Sequence, residues 1–147
     1  MQKKVSLLKR AWVDKELVVF NLKQTSMDEV FIDMAAYHLQ QFVEKMLKFV
    51  LNEHGIVFKK THEIDTLLSQ FDDSGIAYPD WIFVHARTLT DYATQIRFGD
   101  DFVGSKCRVS ELLELATEYY EDILKQQELR QVNGHANLQN DSHKECK

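Results

Sequence analysis

The stretch MDEVFIDMAAYHLQQFVEKMLKFVLNEHG, residues 27–55, decides the fold. Phe31, Ala35, Leu39, Phe42, Met46 and Val50 recur at separations of four, four, three, four and four, which is the period of one broad apolar stripe on a helix. Ser26 or Asp28 supplies an N-cap, Asp28 and Glu29 lie against the positive end of the helix dipole, and Gly55 stands where a C-terminal cap is needed. The spacing predicts a helix from Met27 to His54, about 40 Å long at about 1.5 Å per residue.

The same period continues on both sides. Leu8, Ala11, Trp12, Val18, Val19 and Leu22 predict an amphipathic helix from Val5 to Lys23, broken by Thr25, Ser26 and Asp28. Thr61 is read as the cap of a short third helix that turns Ile64, Leu67, Leu68 and Phe71 inward and stops at Asp72, Asp73, Ser74 and Gly75. Pro79 fits the first position of a fourth helix, where its missing N–H has no partner to lose. Its seam is Ile82, Ala86, Leu89, Ala93 and Ile96. Arg97 to Ser105 holds two glycines and two aspartates and reads as a loop; a fifth helix then carries Val109, Leu112, Leu113, Leu115, Ala116, Tyr119, Tyr120, Ile123 and Leu124.

Beyond Gln126 the apolar density collapses, and residues 127–147 are expected to form a polar, disordered tail. The expectation is therefore an all-α, up-and-down bundle of about five helices over residues 1–126. With 5 Gly and 1 Pro in 147 residues there is little turn chemistry for a fold of many short strands, and no repeat of about 20–50 residues points to a solenoid.

Composition narrows the function. A formal net charge of -5 excludes a surface given over to nonspecific phosphate binding, and leaves room only for a local basic groove. Two cysteines, Cys107 and Cys146, form neither a disulfide framework nor a cysteine zinc site. The opening MQKKVSLLKRAW has no apolar run fit for a signal peptide or a membrane span, so a cytoplasmic protein without membrane association is expected. Glycine-rich phosphate loops, HExxH, CxxC pairs and nucleophile elbows do not occur, and the 23 carboxylates form no specific acid–base pair. No catalytic residue, metal site or cofactor is assigned.

His38, Gln41, Lys45 and Lys48 are three, four and three residues apart, within roughly 80° of one another at about 100° per residue. Two readings of this polar column stand. It lines a groove for phosphate or a base edge, or it is a solvated flank in which lysine stems cover apolar surface and Lys48 pairs with Glu44 one turn away. Lys59, Lys60, Thr61 and His62 form a second group at the start of the third helix, where free backbone N–H groups and lysines can hold an anion, or where ordinary capping suffices. Arg87 and Asp91 can pair across one turn. Arg97 stands at a helix end, placed either for function or to bond the last carbonyls.

AAYHLQQFVEKMLKFVL at 35–51, KKTHEIDTLL at 59–68 and YATQIRF at 92–98 together resemble the HEPN family, named for nucleotide binding in higher eukaryotes and prokaryotes. The resemblance rests on the region of Ala36, on Gln40-Gln41, Glu44-Lys45, Leu47-Lys48, Thr61-His62, Leu67-Leu68 and Arg97-Phe98, and covers roughly residues 6–125. It implies a helical bundle, frequently a homodimer, often encoded beside a minimal nucleotidyltransferase in toxin–antitoxin or defence systems. Ribonuclease members of the family carry an Arg followed after four to six residues by His on a late helix. Here neither Arg87 nor Arg97 is followed by such a histidine. The resemblance thus implies a noncatalytic nucleotide- or RNA-associated protein with a nucleotidyltransferase partner, its cleft lined by His38, Gln41, Lys45, Lys48, Lys60, His62 and Arg97. The alternatives are a metal-independent endoribonuclease with an atypical histidine and a pure protein–protein interaction module.

Overall fold

A computed structural model describes residues 6–98 and 105–145, with the backbone alone at 95–98 and 135–145. Its helices are α1 (Leu7–Lys23), α2 (Val30–Glu53), α3 (Ile64–Asp73), α4 (Asp80–Val84), α5 (Ala86–Phe98) and α6 (Lys106–Glu145). The described residues contain no strand. The chain divides into two compact units, Met1–Thr117 and Glu118–Lys147.

In the first unit α2 is the central element, packing against α1, α3 and α5. Half of its 24 residues are buried, so the stripe seen in the sequence is one side of a helix covered nearly all round. Leu39, Phe42 and Met46 occupy that side, and Ala36, Val43, Leu47 and Leu51 extend the buried surface around the helix. Asp28 starts it, its Oδ1 accepting the Val30 N–H at 2.9 Å. Gly55 ends it at φ 73°, with its own N–H donating to the Asn52 carbonyl and the Ile56 N–H to the Leu51 carbonyl. Gly75 ends α3 in the same way at φ 68°, the Ile76 N–H donating to the Phe71 carbonyl. Both are left-handed positions that a side chain resists.

Four expectations change. On α1 the buried row is Leu8, Ala11, Asp14, Val18 and Asn21, while Trp12 is at the surface with the Lys9 ammonium 4.3 Å from its ring centroid. The predicted fourth helix is two, parted at His85 after the run Ile82, Phe83 and Val84, whose aromatic and β-branched side chains disfavour helix. Its seam survives the break, since Ile82, Ala86, Leu89 and Ala93 are all buried. Thr61 does not cap α3: its hydroxyl accepts the Glu63 N–H, and Thr90 of α5 accepts the Ile64 N–H at 3.1 Å. Lastly, α6 passes the expected end near Gln126 and runs to Glu145. Gln, Glu, Leu and Arg there are good helix formers, with Gly134 the main local cost, about 1 kcal/mol. The loop expected between Arg97 and Ser105 falls largely on residues 99–104, outside the described residues.

Candidate functional site: a buried ionic network and an exposed basic loop

The polar column predicted on α2 exists, but its members face acids. Asp14, halfway along α1, meets two of them: His38 Nδ1 lies 3.0 Å from Oδ1, and the Lys45 ammonium donates to Oδ2. Glu44 meets the next group. Its Oε2 accepts from Lys48 Nζ at 3.1 Å, and its Oε1 lies 2.9 Å from His62 Nδ1 and accepts from Gln40 Nε2 at 3.1 Å. Gln41 joins the two halves, donating to Gln40 Oε1 at 2.6 Å and accepting from Lys45 at 3.4 Å.

The result is one network from α1 across α2 to the segment before α3. It holds two carboxylates, two ammonium groups and two imidazoles. The side chains of Asp14 and Glu44 are 9% and 5% exposed, a depth at which an acid without a cation would be strongly disfavoured. Lys45 and Lys48 supply those cations, and the Lys48 head also lies 5.1 Å from the Phe58 ring centroid. Their charges are spent inside the fold, so the column is not a free anion groove. The pairing of Lys48 with Glu44 expected from their spacing is present; that of Arg87 with Asp91 is absent from the ion pairs among the described residues.

His62 is different, because its ring is 61% exposed although Nδ1 rests on buried Glu44. The loop that carries it is fastened at both ends. Gln70 of α3 accepts the Lys59 N–H at 3.0 Å and donates to the Val57 carbonyl at 3.1 Å, while Gln40 of α2 donates to the His62 carbonyl at 2.9 Å. Lys59, Lys60 and His62 stand outward from this fixed backbone. Lys60 takes no part in the network, and the Arg97 side chain lies outside the described residues.

Of the residues singled out in the sequence, His38, Gln41, Lys45, Lys48 and His62 therefore come together, and Lys60 lies on the adjoining loop. Asp14 was not among them. Its signal is its place in the row Ala11, Asp14, Val18, Asn21, spaced three, four and three, where apolar residues are expected. Gln40 and Glu44 likewise interrupt the buried row from Ala36 to Leu47 and Leu51.

Among the described residues no group of three or more His, Cys, Asp or Glu side chains is placed to hold a metal ion, and no helix is long and apolar enough to cross a membrane. A family model described as HEPN domain matches residues 9–127. No curated protein and no solved structure matches the chain.

Proposed function

The chain belongs to the HEPN family, and from that premise we propose that it is a noncatalytic, nucleotide- or RNA-associated protein whose contact edge is the loop of Lys59, Lys60 and His62. The observation that carries this reading is the contrast between that loop and the column on α2. Lys45 and Lys48 are paired with buried acids, whereas Lys59 and Lys60 are exposed on a backbone already held in place. Fixing the loop before binding lowers the entropy cost of holding a phosphate. A local edge of this kind suits a chain of net charge -5.

The finer role we propose is that of a homodimer acting with a minimal nucleotidyltransferase in a toxin–antitoxin or defence-type system. An exposed apolar cluster, Phe20, Met27, Val30 and Met34, around the α1–α2 turn supports an association surface. The test of the nucleotide reading is calorimetric titration of nucleotides and single-stranded RNA into the full chain. Lys60→Ala and His62→Ala should weaken binding, and Lys45→Ala should lower stability more than affinity. Absence of binding by wild type would end this reading.

Two observations favour the catalytic alternative. Arg130 is followed after four residues by His135 on α6, the spacing that the ribonuclease members carry. Glu44 holds the Nδ1 side of His62 while the ring stays largely exposed, an arrangement in which a carboxylate orients a general base. Acting on RNA, such a base would take the 2′-hydroxyl proton without a metal. Cleavage of RNA by wild type in the presence of a chelator, lost in His62→Ala, would replace the noncatalytic reading.

A further inference from the structure

Outside this network the fold makes a second juxtaposition, between His85 and Arg108, 23 positions apart in the chain. His85 is the hinge residue between α4 and α5. Its N–H donates to the Trp81 carbonyl at 3.0 Å and its carbonyl accepts the Leu89 N–H at 2.9 Å. Arg108 lies in the first turn of α6, and its backbone N–H donates to Ser105 Oγ at 3.1 Å. Both backbones are thus pinned, and Arg108 Nη1 stands 3.4 Å from His85 Nδ1.

A guanidinium is always charged and has only donors, so His85 Nδ1 must accept this contact. The ring proton then sits on Nε2. What the pair presents to its surroundings is the remaining guanidinium N–H groups and one imidazole N–H, all donors. Among the described residues no ion pair joins Arg108 or His85 to a carboxylate, in contrast to Lys45 and Lys48. The charge of Arg108 is felt by Tyr92: burial raises the phenol above its ordinary range and Arg108 pulls against that rise. The first turn of α6 also has no acid to set against Lys106 and Arg108, although the start of a helix favours negative charge.

From this geometry we propose that His85 and Arg108 form a binding site for a phosphate group. A phosphate offers mainly acceptor oxygens and carries negative charge at neutral pH, and a planar guanidinium engages two of its oxygens at once. Arg108 is exposed and His85 half-buried, so the site is open to a ligand. The phosphate can be terminal, on a nucleotide, or internal, in an RNA strand. The site shares no residue with the contact edge at residues 59–62.

The test is NMR of the full chain at constant ionic strength, following the His85 imidazole, whose signals are identified by their loss in His85→Gln. Inorganic phosphate, adenosine monophosphate and a single-stranded oligoribonucleotide without terminal phosphates are titrated in turn, against chloride as control. A saturable His85 shift is expected, weakened about tenfold or more in Arg108→Gln, the loss of one bidentate charge-assisted contact. Arg108→Lys should fall between. A response to the monophosphate alone identifies a terminal phosphate, and one to the oligonucleotide identifies the strand. No saturable shift with any of the three, or an equal shift in Arg108→Gln, overturns the proposal.

Discussion

Glu44→Ala offers the sharpest test of the network, because the magnitude can be worked contact by contact. The substitution removes a carboxylate that is 5% exposed and that meets Lys48, His62 and Gln40. The histidine contact adds little to the loss, since a ring so open rehydrates readily. Gln40 keeps its bond to the His62 carbonyl. Most of the cost falls on Lys48, whose side chain is only 12% exposed. A charge-assisted bond of this kind contributes about 1.5–3 kcal/mol, and stranding the partner of a buried ion pair costs about 3–5 kcal/mol. Lys48 can still reach water in part, so about 2–4 kcal/mol is expected. With a urea slope of about 2 kcal/mol per molar, the unfolding midpoint falls by about 1–2 M. Glu44→Gln, which keeps one acceptor oxygen, should lose about half as much, and Glu44→Leu with Lys48→Met should recover part of the loss by removing both charges together. Urea unfolding followed by circular dichroism measures all three. An unfolding free energy for Glu44→Ala within about 0.5 kcal/mol of wild type would mean that no buried ion pair had been broken, since that is the behaviour of an ordinary surface substitution.

Alkaline pH acts on Tyr119, whose hydroxyl is pushed well above the usual phenol range by burial first and by Asp122 second. A proton held more tightly in the folded state stabilises it fully below the unfolded value near 10, and that stability is lost as pH rises above it. Tyr119→Phe should therefore move the alkaline unfolding midpoint upward, read by circular dichroism against pH. Gly55→Ala places a side chain at φ 73° and should cost about 1–2 kcal/mol, seen as a lower Tm, even though nothing lies within 4 Å of the added Cβ. The residues from 128 to 134 are all exposed, and we predict that this stretch is mobile. Its amides should exchange with solvent far faster than those of α2 in a hydrogen-exchange time course.

Much of this fold is legible because its punctuation is chemical. Gly55 and Gly75 end their helices at positive φ, Asp28 opens α2, and the seam from Ile82 to Ala93 keeps its period across a break. What escaped the sequence was decided by neighbours. Periodicity alone places Trp12 with Leu8 and Ala11, yet the row facing α2 runs through Asp14, and Trp12 finds its partner in Lys9 at the surface. The start of α3 is capped by Thr90, 26 residues from the N–H it accepts, and no local reading of Thr61 reveals that.

The column on α2 shows most clearly where residue type and residue role part. Spacing correctly placed His38, Gln41, Lys45 and Lys48 on one face, and a helix wheel can say no more than that. Whether a lysine is available to a phosphate depends on what it already faces, and here the deciding groups are an acid on another helix and an acid one turn away. A nucleotide phosphate competing for Lys45 or Lys48 would have to leave Asp14 or Glu44 buried without its cation, at a cost of several kcal/mol. Lys59 and Lys60 carry no such obligation, and the backbone beneath Lys59 is held by Gln70. The same energetics that make the column a good strut between α1 and α2 move the proposed ligand contacts to its outer end, where His62 belongs to the network and yet is open to solvent.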